Sequence, residues 1–142
     1  MSRSGYSEDW DDDQWSMIMY HGRVASATRG KRGQALLKDI LTALNTMPCK
    51  RLVAHELEQA DGAVCAIGAA GKLRGVDMSN LDPDDADGVA GQFNVADCLV
   101  REIVWENDDC GSRKETPEQR FDRMRRWVRS QIKDTLFDVI WC

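Results

Sequence analysis

The chain has no apolar run approaching the roughly 20 residues that a bilayer-crossing helix needs, so no membrane partner is expected. Its first thirteen residues, MSRSGYSEDWDDD, hold neither an apolar segment nor a cleavage site of the secretory kind, and a cytoplasmic protein is expected. Cysteine is missing where it would have to cluster. Cys49, Cys65, Cys98, Cys110 and Cys142 are odd in number and form no CxxC or CxxxC pair. That spacing supports neither a zinc knuckle nor a secreted disulfide framework; it predicts reduced thiols, with Cys65 and Cys98 buried as small hydrophobes. Histidine is rarer still. His21 and His55 have no carboxylate at a recognised spacing, and the His55-Glu56-Leu57 stretch fails the HExxH pattern because Gln59 stands where the second histidine belongs.

Two ligand loops are absent on closer reading. Setting Gly71-Lys72 on a phosphate-binding GxxxxGK[ST] loop puts Ala66 at the first glycine and Leu73 at the hydroxyl, so it fails twice. Gly68, Gly71 and Gly75 do not fit GxGxxG either. Counting a calcium loop from Gly88 places Asp85 and Asp87 at ligand positions, but Pro83 then falls at the first ligand and Asn94 at the last. With no nucleophile beside a base, the sequence leads us to expect no metal, no cofactor and no catalysis.

What remains is a globular composition, 42% hydrophobic and 30% charged over 142 residues, enough to bury one core. We expect an acidic flexible lead-in over 1–13 and a single helical domain over 14–142. The fold class is mostly α, a bundle of five to six helices. A small β-hairpin near 50–66, turning at Asp61-Gly62, is the minor alternative. From Gln14 to about Gly30 the pattern is helical, with Trp15, Ile18, Met19 and Val24 as core candidates. Gln34–Met47 is the cleanest amphipathic helix: Leu36, Leu37, Ile40, Leu41 and Leu44 keep to one stripe, and Pro48 stops it. Val64–Leu73 reads as a small-residue helix stopped by Gly75, the centre around which the others assemble. Asp82 with Pro83 reads as a helix start, followed by a short helix over 85–93. A further helix over 95–106 turns Cys98, Leu99, Ile103 and Val104 inward. Thr116-Pro117-Glu118-Gln119 is a capping-box start for a helix to about Lys133, with Phe121, Met124, Val128 and Ile132 on its inner face and arginines outside. Leu136, Phe137, Val139, Ile140 and Trp141 extend it or form an apolar tail.

The net charge of −5 conceals four blocks: −4 over 1–20, +5 over 21–75, −9 over 76–111 and +3 over 112–142. These blocks pair internally or, if the acids share a face, attract a basic protein surface. The candidate partner-binding residues are Asp82, Asp84, Asp85, Asp87, Asp108 and Asp109. The candidate nucleic-acid contacts are Arg29, Lys31 and Arg32 in the RGKRGQ turn, with Arg123, Arg126 and Arg129 on the last helix.

The segments RGKRGQALL, DGAVCAIGAAGKLRGVDM, VREIVWENDD and ETPEQRFDRMRRWV together resemble a group of uncharacterised small proteins of bacteriophages and prophages. The likeness runs from about Arg23 to Val128 and rests on a DGxxCx[IL]G stretch (DGAVCAIG), an acidic Asn-Asp loop and a closing Thr-Pro-Glu helix. It implies a phage or prophage origin in a bacterial cytoplasm, and no chemistry. The leading expectation is therefore a non-catalytic interaction module with an acidic surface for a basic host or phage protein, as an inhibitor of host defence or transcription would have. Nucleic-acid binding is the alternative, and homo-oligomeric assembly through the C-terminal apolar tail is the third.

Overall fold

Local sequence signals set the helix ends. In the computed structural model, which describes residues 3–4 and 14–133, six helices follow one another: α1 (Gln14–Arg29), α2 (Lys31–Thr46), α3 (Ala66–Arg74), α4 (Ala86–Phe93), α5 (Asp97–Asp108) and α6 (Pro117–Gln131). Thr116 caps α6 as its sequence promised: its hydroxyl accepts from the Gln119 amide at 3.1 Å, and the Gln119 side chain accepts from the Thr116 amide at 2.9 Å. Gly75 ends α3 in the left-handed region at φ 73°. The start of α3 lies two residues later than the apolar pattern suggests. Val64 lies outside the helix and Cys65 is its N-cap, whose thiol accepts the Gly68 amide at 3.4 Å. Likewise Asp85, not Asp82, caps α4; Asp82 instead closes a turn through the Asp84 amide at 2.9 Å.

Packing follows the stripes. Leu36, Leu37, Ile40 and Leu44 of α2 are completely buried, each contributing roughly 1.5–3 kcal/mol of burial. α2 packs against α1, α3 and α6, and α5 packs against α1, α3, α4 and α6, so these two helices tie the bundle together. Residues 66–71 of α3 are all buried, as expected for the centre of the core. Two glycines make the close approaches possible. A Cβ on Gly68 would lie 1.9 Å from the Leu57 carbonyl oxygen, and one on Gly33 would lie 2.0 Å from that of Ala27. Between α2 and α3 the chain forms no strand among the described residues. The hairpin reduces to an isolated antiparallel bridge, Glu58 to Val64.

One helix departs from expectation. Trp15, Ile18 and Met19 of α1, read as core, are 70%, 62% and 52% exposed. The contacts of α1 with α2 and α5 are made further along its length, at Tyr20, Ala27 and Thr28, and the Tyr20 hydroxyl donates to the Cys98 carbonyl at 3.4 Å. The apolar tail over 136–141 and most of the acidic lead-in lie outside the described residues.

Candidate functional site

The most densely wired polar group joins parts of the chain that the sequence keeps far apart. Arg3 reaches the C-terminal end of α5 and pairs with Asp108 through Nε and, at 2.9 Å, through Nη2. Both side chains are buried. Asp108 Oδ1 also accepts the Asn107 side-chain amide at 2.8 Å and the His55 backbone amide at 3.2 Å, and Oδ2 lies 3.7 Å from His55 Nδ1. Asn107 is itself buried. Its Oδ1 caps the start of α3 at the Ala66 amide (3.1 Å), and its Nδ2 donates to the Val53 carbonyl at 2.9 Å. Burial pushes the Asp108 carboxyl up, but the bonds from Arg3, Asn107 and His55 outweigh it and hold it below the usual carboxylate range. Burial also works against the Arg3 charge, and Cys65 and Asp108 more than offset it, so Arg3 is held above its ordinary value. Arg3 Nη1 is the one buried side-chain nitrogen or oxygen, among the described residues, without a hydrogen-bond partner.

One sequence reading is corrected here and another is extended. Asp108 is not part of an exposed acidic face, because its carboxylate is committed to Arg3 and to the backbone of residue 55. His55 does have a carboxylate nearby, from a residue 53 positions away that no short motif can reveal, and it holds a left-handed backbone at φ 71°. The group brings a thiol, an imidazole and a carboxylate into one neighbourhood, yet Cys65 Sγ is engaged by the Gly68 amide, as a helix cap would be. Among the described residues no set of three or more His, Cys, Asp or Glu side chains is arranged to hold a metal ion.

The arginines of α6 divide. Arg123, expected on an outer basic face, turns inward: it binds Glu115 at 2.7 and 2.9 Å and the Glu106 and Asn107 carbonyls at 2.5 and 3.3 Å. Arg120 likewise bonds the Asn107 and Leu52 carbonyls at 3.1 and 3.2 Å. Both guanidiniums therefore close the C-terminal end of α5, where carbonyls lack helical partners and cations are favoured. The hydrogen bond from Arg123 is the main reason that the Glu115 carboxyl is lowered. Glu106 beside them is raised, chiefly by burial. Arg126 and Arg129 are both exposed.

Five exposed acids, Asp77, Asp82, Asp84, Asp85 and Asp87, cluster in the 77–87 stretch, and Asp109 is exposed at the end of α5, while Glu56, Glu58, Asp61, Asp97, Glu118 and Asp122 are exposed elsewhere. Asp82, Asp84, Asp85 and Asp87 carry no ion pair among the described residues; Asp77 is held low by bonds from the Ser79 hydroxyl and amide. On the opposite sign, Arg29, Lys31 and Arg32 are exposed at the α1–α2 corner. Lys31 and Arg32, with Arg23, line a cleft of about 600 Å³ between α1 and the first turn of α5. A second, more apolar cleft of about 370 Å³ runs between the end of α2 and α3, bordered by Met47, Val64, Ala69 and Leu73. No helix among the described residues is long and apolar enough to cross a membrane.

Comparison with known protein families, with curated proteins and with solved structures finds no match to this chain.

Proposed function

We propose that this chain is a non-catalytic protein-interaction module whose first helix docks into an apolar groove, rimmed by basic residues, on a partner protein. The observation that carries the reading is the outward face of α1: Trp15, Ile18 and Met19 stand at i, i+3 and i+4 and are more than half exposed. Three large apolar side chains on one helical face are the anchor pattern of a helix that fills another protein's groove. Charge supplies the chemistry of the rim. Glu8, Asp9, Asp11, Asp12 and Asp13 immediately precede α1 in the sequence, and Asp82, Asp84, Asp85, Asp87 and Asp109 add further negative charge. A basic rim is attracted by such acids and orients the encounter. The resemblance to small phage proteins makes a bacterial host protein, of a defence or transcription apparatus, the natural candidate for that partner.

The test compares the parent with a Trp15→Ala/Ile18→Asp/Met19→Asp chain and with a charge reversal of Asp82, Asp84, Asp85 and Asp87. Capture from bacterial lysate is followed at rising salt. A partner that is lost with the apolar variant, weakened by charge reversal and released by salt supports the reading, provided that both variants melt as the parent does. A partner held equally by all three chains sinks it. Self-association that vanishes on cutting after Lys133 would point instead to homo-oligomeric assembly through the apolar tail.

A further inference from the structure

We infer that the cleft at the α1–α2 corner is a binding site for a phosphate group. Three cations, Arg23, Lys31 and Arg32, line a cavity of about 600 Å³, the size of a small-molecule site. One carboxylate, Asp97, shares the lining, and it faces Arg101 at 3.5 Å along its own helix. The cleft is therefore positive. Its walls are fixed by packing, not by the cations themselves. Tyr20 is buried and bonded to the Cys98 carbonyl, and Gly33 lies so close to the Ala27 carbonyl and the Leu99 side chain that no Cβ fits.

The backbone adds to the same sign. The cleft includes Gly30, the N-cap of α2, and Ala96, the N-cap of α5, and neither helix start has a side-chain cap. Two helix ends whose N-cap residues, Gly30 and Ala96, supply no side-chain cap thus open on a cavity lined by three cations, the Leu99 amide of α5 being taken by the Ala96 carbonyl at 3.1 Å. Such an arrangement suits an anion with several oxygens. Arg32 is only loosely held, by Asn94 Oδ1 at 3.4 Å, and Arg23 lies over the Tyr20 ring at 5.8 Å, so both can turn to a ligand at small cost. The phosphate belongs either to a small phosphorylated molecule or to a nucleic-acid backbone. Arg123 is excluded from the site by its bonds to Glu115.

Pyrophosphate binding is measured by calorimetry, and binding of a single-stranded oligonucleotide by gel shift, both at low salt. The Lys31→Gln/Arg32→Gln chain should lose at least about tenfold in affinity, as expected when two phosphate-facing charges are removed. A Gly30→Asp chain separates binding from folding. The nearest atoms to a Cβ there, Ser26 O and Ala27 O at 3.5 and 3.7 Å, leave ordinary room, and the backbone is extended at φ −68° and ψ 163°. The new carboxylate takes the cap position of α2, where it gains only a few tenths of a kcal/mol over glycine, and should leave the Tm within about 2 °C of the parent while abolishing binding, since it occupies the anion's place. An Arg126→Gln/Arg129→Gln chain should bind as the parent does. Binding of pyrophosphate with these effects assigns the site to small phosphates, and binding of the oligonucleotide alone, lost in the same variants, assigns it to a nucleic-acid backbone. Absence of binding by both probes overturns the inference. So does binding that survives Gly30→Asp, or that depends on Arg126 and Arg129.

Discussion

At Gly68 the first atom of a side chain is already too much: it would lie 1.9 Å from the Leu57 carbonyl oxygen, which is backbone and cannot swing aside. Gly68→Ala should lower stability by about 2–3 kcal/mol, and Gly68→Leu should abolish the cooperative melt. Gly22 is the control. It sits inside α1, and a methyl group added there would meet nothing within 4 Å, so Gly22→Ala should stabilise by roughly 0.5–1 kcal/mol in urea unfolding. Asp108 carries the pH dependence. Its folded pKa lies below its unfolded value of 3.8, so its contribution is fully present above that value and is lost as pH falls through the lower folded one. Asp108→Asn should therefore cost roughly 3 kcal/mol at neutral pH, because Arg3 is left buried and unpaired. The gap between parent and variant should narrow below about pH 4 in denaturant titrations at stepped pH. Glu106, raised by burial, acts in the opposite direction: its protonation is favoured in the folded chain and moderates that acid loss.

Among the elements, α2 and α6 were readable because their stripes are long and their ends carry explicit chemistry. Leu36 to Leu44 and the Thr116–Gln119 capping box stand in the structure where the sequence places them. α1 shows the limit. The spacing of Trp15, Ile18 and Met19 says that they share a side of a helix, but periodicity cannot say whether another element covers that side. The polar wiring was illegible for a different reason. Arg3 and Asp108 are separated by 105 positions, Asn107 and Ala66 by 41, and no local pattern encodes such meetings. Cys65, read from the sequence as lying inside the small-residue helix, stands directly before it, where its thiol substitutes for the usual hydroxyl cap. Asn107 joins α5 to α3 and to the 53–64 loop through two bonds to backbone, and its side chain also donates to Asp108 on its own helix. Asn107→Ala should cost about 2–4 kcal/mol by thermal or denaturant unfolding, since it leaves a buried amide and a carbonyl without partners.

For the molecule as a whole, charge and exposure set behaviour toward others. Ile18→Lys with Met19→Lys should leave the melting temperature within about 2 °C of the parent, because neither side chain belongs to the core, while raising the concentration at which the chain precipitates. A large fall in Tm would mean that the α1 face is covered within the folded protein. The Asn107 clamp has a kinetic counterpart. The Ala66 amide lies in the first turn of α3, where a helix ordinarily frays and its protons exchange with water early. Here that proton is held by a side chain on a different helix, itself buried, at 3.1 Å. Its exchange with deuterium should accordingly wait for opening of the whole bundle, as slowly as the amides of the central turns of α2. The first turn of α3 would then report global unfolding in a hydrogen-exchange experiment.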